Sequence, residues 1–352
     1  MEKENDLSLL FRYRGVLMGF AALWILMFHE WQLLTPSGTY IYEVERFVKR
    51  IGFCGVDIFL MLSGMGMYFS LEKHSLPRFY YNRLKRILFP FWCMAVIVAL
   101  VDKWDKIFTL KVMTGIAFYR ISIYSFLWFI PAIISFYILV PLYYSLLKRV
   151  KNKIIFTAVV LQIWLLVSML AATVMRQDLY GFTNRIPIFL IGVLFGYLCK
   201  EKQIIFSKAV WFLLGSTLVL GLYLAYQTSM KGMALLVPVS NCCVPNILIS
   251  VSLPLLIAKG MDLLLKGKLP KCIHHVFNRI FAFFGMMSLE FYCVQEWIGR
   301  HILSNLVKDY GNGIANLLLL AVVTAAGLVL YFANKLFVKI FDMIDNRFMK
   351  DK

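Results

Sequence analysis

Six ionisable side chains interrupt stretches of sequence that are otherwise apolar: His29, Glu30, Asp57, Arg185, Glu290 and Glu296. A charge at the centre of a bilayer costs at least about 2.5–3.5 kcal/mol, so each such group is a candidate for binding or proton transfer. The plainer reading is a side chain that reaches headgroup water from the end of its helix. That reading suits Glu30, Asp57 and Glu296 better than His29 and Glu290, which sit deeper in their runs. A second group is cationic: Arg78, Arg83, Lys85 and Arg86 precede an apolar run, and Arg14 opens the first one. The planar guanidinium fork grips phosphate through two parallel hydrogen bonds, and fixed positions at helix entrances suit a phosphate-bearing donor. A patch that holds anionic lipid headgroups is the alternative.

The elements that must carry these groups follow from composition. Of 352 residues, 61% are hydrophobic and 16% charged, and mean hydropathy is +0.75. A water-soluble domain carries roughly 25% charged residues, so this chain belongs in a bilayer. The net charge of +18 does not point to nucleic acid, because the basic residues lie between apolar runs rather than along one stripe. Runs long enough to cross a hydrocarbon core about 30 Å thick fall at 15–34, 53–71, 86–102, 126–147, 154–175, 186–199, 209–228, 240–258, 280–299 and 314–341. The expectation is an all-α polytopic protein with about ten transmembrane helices, one membrane domain filling 1–352. Residues 107–124, with Lys111, Arg120 and nearby Lys103 and Lys106, read as an interfacial segment; an eleventh crossing is the alternative.

Alternate connections hold 25 of the 37 basic residues, which puts both termini in the cytoplasm of a plasma-membrane protein. The first run lacks a small-residue cleavage site and reads as a retained signal anchor. On this topology His29, roughly 22 Å along the helix from Arg14, lies in the outer half. Asp57, Trp128 and Arg185 fall at outer helix ends, and Glu290, Gln295 and Glu296 in the middle to outer part of theirs, so that one outer cavity can collect them all. The seven cysteines, Cys54, Cys93, Cys199, Cys242, Cys243, Cys272 and Cys293, show no metal-ligand spacing and read as buried thiols. Gly55, Gly64 and Gly66 would let helices approach closely, and Ser63 can bond back to its own helix. Trp128 reads as an interfacial belt residue, His274 and His275 as solvated side chains of a basic loop, and His301 as a boundary residue.

Four segments together resemble the acyltransferase-3 family of integral membrane acyltransferases. They are Arg14-Gly15 through Phe28-His29; Gly55-Val56-Asp57-Ile58-Phe59 with Ser63-Gly64; Phe79 through Arg83-Leu84-Lys85-Arg86 and Pro90; and Gly285 with Ser288-Leu289-Glu290-Phe291-Tyr292. Weaker echoes are Trp128-Phe129 with Pro141, and Arg185-Ile186-Pro187 with Gly192 and Gly196. Two departures stand out. Met18 occupies the usual place of the family's first-helix arginine, with Arg14 one helical turn further from His29 on roughly the same face. Gln295 and Glu296 stand where some relatives carry a histidine.

The resemblance implies an acyl-CoA donor, acetyl-CoA foremost, approaching from the cytoplasm with its phosphates on Arg83, Arg86 and Arg14. It implies a hydroxyl-bearing acceptor, a surface carbohydrate or lipid-linked compound, and no metal. His29 would then be the base or nucleophile, since neutral imidazole serves either role near neutral pH. Glu290 would orient it as a triad's third member does, with Asp57 as the substitute. The competing reading is a transporter of a lipid-linked or anionic solute, though the paired, interrupted helices of duplicated transporters are not evident in the sequence.

Overall fold

The computed structural model describes residues 5–120, 127–171, 180–233, 235, 240–267 and 271–350. Every regular element among them is a helix, the form that satisfies backbone N–H and C=O groups within its own segment where no water is at hand. Among the described residues, eight helices are long and apolar enough to cross a membrane, or nine if the bent pair Asp6–Arg12 and Arg14–Glu30 is one span.

In chain order the longer helices are α1 (Arg14–Glu30), α2 (Tyr40–Arg50), α3 (Cys54–Lys73), α4 (Leu76–Val101), α5 (Lys106–Met113), α6 (Phe129–Arg149), α7 (Lys153–Ala171), α8 (Ile186–Glu201), α9 (Lys208–Ser229), α10 (Ser240–Lys266), α11 (Lys271–Met286) and α12 (Ser288–Lys350). Two sequence boundaries move. The helix expected from residue 86 starts at Leu76, behind Ser75 and with Pro77 in its first turn, so the whole arginine cluster is helical. Apolarity marks only its membrane part, whereas the proline start signal, Pro77, lies nine residues earlier. The run expected at 280–299 is divided, one helix ending at Met286 and the next beginning at Ser288.

The interfacial expectation for 107–124 meets two short helices, α5 and Ile116–Arg120, with residues 121–124 outside the described part. At 1.5 Å per residue each is too short to cross. The end of the run at 154–175 and the first residue of that at 126–147 also lie outside it. Helix α2 was not foreseen. Its charges hide it from a search for apolar runs, while Thr39 accepts from the Tyr42 N–H at 3.1 Å and caps its start.

The chain forms two compact units, Met1–Phe28 with Ser37–Lys73 and Phe136–Met286, and His29–Pro36 with His74–Ser135 and Met287–Lys352. Each is assembled from three separate segments, so no linker marks a boundary in the sequence.

In the first unit glycines set the helix crossings. A Cβ at Gly192 of α8 would stand against the Met61 backbone of α3, 3.0 Å from both its Cα and its carbonyl carbon, and one at Gly64 would meet Val193 N at 3.0 Å. Gly55 faces Ala21 and Ile25 of α1, and Gly285 of α11 lies on the backbone of Gly15, whereas a Cβ at Gly66 would meet nothing within 4 Å. Backbone cannot yield as a side chain can. Gly192→Ala is therefore expected to lower stability by about 1–3 kcal/mol, as overpacking does, read as a drop in melting temperature of the purified protein; an unchanged melting temperature would contradict this crossing.

His274 corrects the loop expectation. It lies on α11, buried, its ring edge-on to Tyr13 with centroids 6.1 Å apart, while His275 is exposed. The basic residues around it mark the polar face of a helix, not a loop. Cys54, Cys243 and Cys293 are buried, Cys93 and Cys199 partly so and Cys272 is exposed; the Cys242 side chain lies outside the described residues. Exposed apolar residues such as Ile163, Leu166 and Leu170 on α7 and Phe212 on α9 suit lipid tails, which are as apolar as leucine.

The second unit centres on α4 and α12. Phe89 and Phe337 stack with centroids 4.4 Å apart, and the Tyr81 hydroxyl donates to the Phe341 carbonyl at 3.2 Å. Gly311 interrupts α12 with φ 74° and ψ 170°, a left-handed conformation that glycine adopts without a Cβ penalty.

Candidate functional site

One end of the second unit gathers around the limb of α12 before Gly311. Glu296 and Arg300, one turn apart, form an ion pair. Gly299 lies between them on the helix, and a Cβ there would meet Cδ and Oε2 of Glu30 at 2.6 and 2.7 Å. The missing side chain lets the Glu30 carboxylate, which is buried, lie directly on the helix. His29 stands beside it in the last turn of α1, half-buried, with Arg300 close enough to act on it electrostatically. Glu30, Gln32, Gly299, Arg300, Leu303, Ser304 and Val307 line an open cleft of about 470 Å³. His29 is thus one position along the chain from a polar hollow lined by Glu30 and Arg300.

The other end holds the arginines. Arg78 and Lys85 are committed to Asp345 and Asp342 on α12, and both cations also lie over the Tyr81 ring, at 5.2 and 4.5 Å from its centroid. These two tie helices together and already have carboxylate partners. At 100° per residue, Arg83 and Arg86 point about 60° apart and away from the Arg78–Lys85 face. Arg83 lies over Phe79, 5.9 Å from the ring centroid, and Arg86 is exposed.

Glu290 belongs to this end. Its carboxylate accepts from Asn334 Nδ2 at 2.6 Å, the same amide donates to the Arg86 carbonyl at 3.1 Å, and the Arg86 charge acts on Glu290. The sequence reading set Glu290 beside His29 in an outer cavity. Glu290 sits in the first turn of α12, six residues or about 9 Å before Glu296, and the shared Asn334 amide ties it to the Arg86 carbonyl.

Asp57 has its own setting in the first unit. Its carboxylate is 3.7 Å from Arg185 Nε and accepts from Asn246 Nδ2 at 3.2 Å, and Asn246 in turn accepts from Cys54 Sγ at 3.2 Å. Arg14, half-buried at the start of α1, is also in the first unit. In the second unit, Trp128 stacks on Phe118 with centroids 6.3 Å apart, and His301 Nε2 lies 3.3 Å from Asp102, to which Trp297 donates at the same distance. Sequence reading missed Asn316 and Asn334, both buried. Their signal is an amide inside the apolar run 314–341, where a neutral polar group stands out less than a charge.

A family model described as an acyltransferase domain matches residues 16–333. The chain belongs to the acyltransferase-3 family. It is a membrane acyltransferase. No curated protein and no solved structure matches it. The matched stretch of the acyltransferase takes in His29, Asp57, Arg83, Arg86 and Glu290 and begins two residues after Arg14.

Proposed function

We propose that this acyltransferase takes an acyl group, acetyl foremost, from acyl-CoA at the cytoplasmic face of the plasma membrane and transfers it to a hydroxyl of a surface carbohydrate or lipid-linked acceptor. The reading draws its main support from α12, whose first limb runs from Glu290, beside Arg86, to Gly299 and Arg300, beside His29 and Glu30. Nine to ten residues of helix separate these levels by about 14 Å, a gap suited to a donor anchored by its phosphates at one end and reacting at the other. Ten crossings with both termini in the cytoplasm fit this use: eight span-length helices, the first bent pair as a ninth, and α12 divided at Gly311 to give the tenth.

Arg83 and Arg86 grip the donor phosphates. His29 takes the proton of the acceptor hydroxyl as its oxygen attacks the thioester carbonyl. The C–S bond breaks, the C–O ester bond forms, and the departing thiolate receives that proton back, leaving imidazole neutral. Glu30 and Glu296 stabilise the transient imidazolium. Glu290, through Asn334, steadies the Arg86 segment, and Asp57 acts at a distance by holding Arg185.

The test is transfer of radiolabel from acetyl-CoA to extractable surface material in membranes with and without the protein. Protein-dependent label is expected, and in the Arg83→Ala/Arg86→Ala variant the donor KM should rise about tenfold or more, since a hydrogen bond to a charged group contributes about 1.5–3 kcal/mol. No label from acetyl-, succinyl- or longer-chain CoA donors would overturn the proposal.

A further inference from the structure

The residues after His29 are held in an unusual way. Helix α1 ends at Glu30, and the chain beyond it is not helical. Asn316, 1% exposed, accepts from the Gln32 N–H through Oδ1 at 2.9 Å and donates through Nδ2 to the Gln32 carbonyl at 2.8 Å. One turn earlier, Asn312 Nδ2 donates to the Leu33 carbonyl at 2.8 Å. The two amides project from the start of the limb that follows Gly311, where the φ of 74° breaks α12. A primary amide that pairs with both the N–H and the C=O of one residue copies a β-ladder contact, and it fixes that residue in two directions at once. Gln32 lines the cleft and lies three residues after His29.

We infer that Asn316, supported by Asn312, is a positioning residue for transfer: it fixes the chain that leaves α1, and so holds His29 and Glu30 at the cleft. This rests on the assignment of His29 as the base. Without the clamp, α1 can fray from its last turn, where C=O groups lack intrahelical partners, and the imidazole loses its aim. A displacement of about 1 Å in a reacting group costs on the order of a hundredfold in rate, so a pair of amides away from the chemistry can control turnover.

The experiment uses the full chain in lipid nanodiscs with Asn316→Leu, Asn316→Asp and His29→Ala. Leucine fills the space without any hydrogen bond, while aspartate keeps the acceptor and loses the donor. We expect kcat to fall about a hundredfold in Asn316→Leu and by less in Asn316→Asp, with the donor KM and the melting temperature unchanged. Hydrogen exchange should quicken in peptides covering residues 29–34 and stay native in α4. Full kcat in Asn316→Leu alongside an inactive His29→Ala would overturn the clamp and leave the base assignment standing. Full activity in His29→Ala would overturn both. A kcat loss matched by a lower melting temperature and faster exchange throughout the protein would make Asn316 a general structural residue and also overturn the inference.

Discussion

Membranes containing His29→Ala at native abundance are expected to transfer acyl groups about 10²–10⁴-fold more slowly than the native protein, the usual worth of a positioned acid–base group. The size of the loss follows from the setting. His29 is half-buried at a helix end, Arg300 acts on it electrostatically, and the neighbouring Glu30 lines a polar cleft. A base works only in its neutral form, so the native rate rises with pH as the imidazole loses its proton, and that limb of the profile disappears in the variant. His301→Ala is the matched control. That ring is exposed and near Asp102, and its loss should leave the pH limb in place. Equal rates and equal profiles in native and His29→Ala membranes would remove histidine from the chemistry.

The sequence makes the solvent, the helical class and the arginine-rich entrance of α4 legible, because these depend on composition and on residues close together in the chain. His29 and Arg83–Arg86 stand out as candidates for the same reason, residue type and local position, and the structure adds a cleft lined by the neighbouring Glu30 and the exposure of Arg86. Pairings across long loops are another matter. Asp342 and Asp345 pair with Lys85 and Arg78, and they stand more than 250 residues away in a basic terminal stretch with no feature to announce them. Glu290 has a partner of the same kind: it shares the Asn334 amide with the Arg86 carbonyl, a pairing 44 residues along the chain that no local pattern announces.

Asp57→Ala is expected to destabilise the protein by about 3–5 kcal/mol, the cost of removing one member of a buried ion pair, and so to lower its abundance in the membrane. The side chains of Asp57 and Arg185 are only 2% and 10% exposed, and the variant leaves the guanidinium in place without its carboxylate. A loss of activity in Asp57→Ala therefore says nothing about catalysis. The decisive variant is Asp57→Leu/Arg185→Met, which exchanges the pair for apolar side chains; such replacements are often neutral or stabilising by about 1–4 kcal/mol. The double variant should recover abundance and melting temperature and retain most of the rate, because Asp57 serves to hold α3 against the start of α8. A double variant that is stable but inactive would return Asp57 to the chemistry. Helix α3 would then carry a catalytic carboxylate, as the likeness of Gly55-Val56-Asp57 to the family motif first implied, and the ion pair with Arg185 would be the resting state of a group that must let go to act.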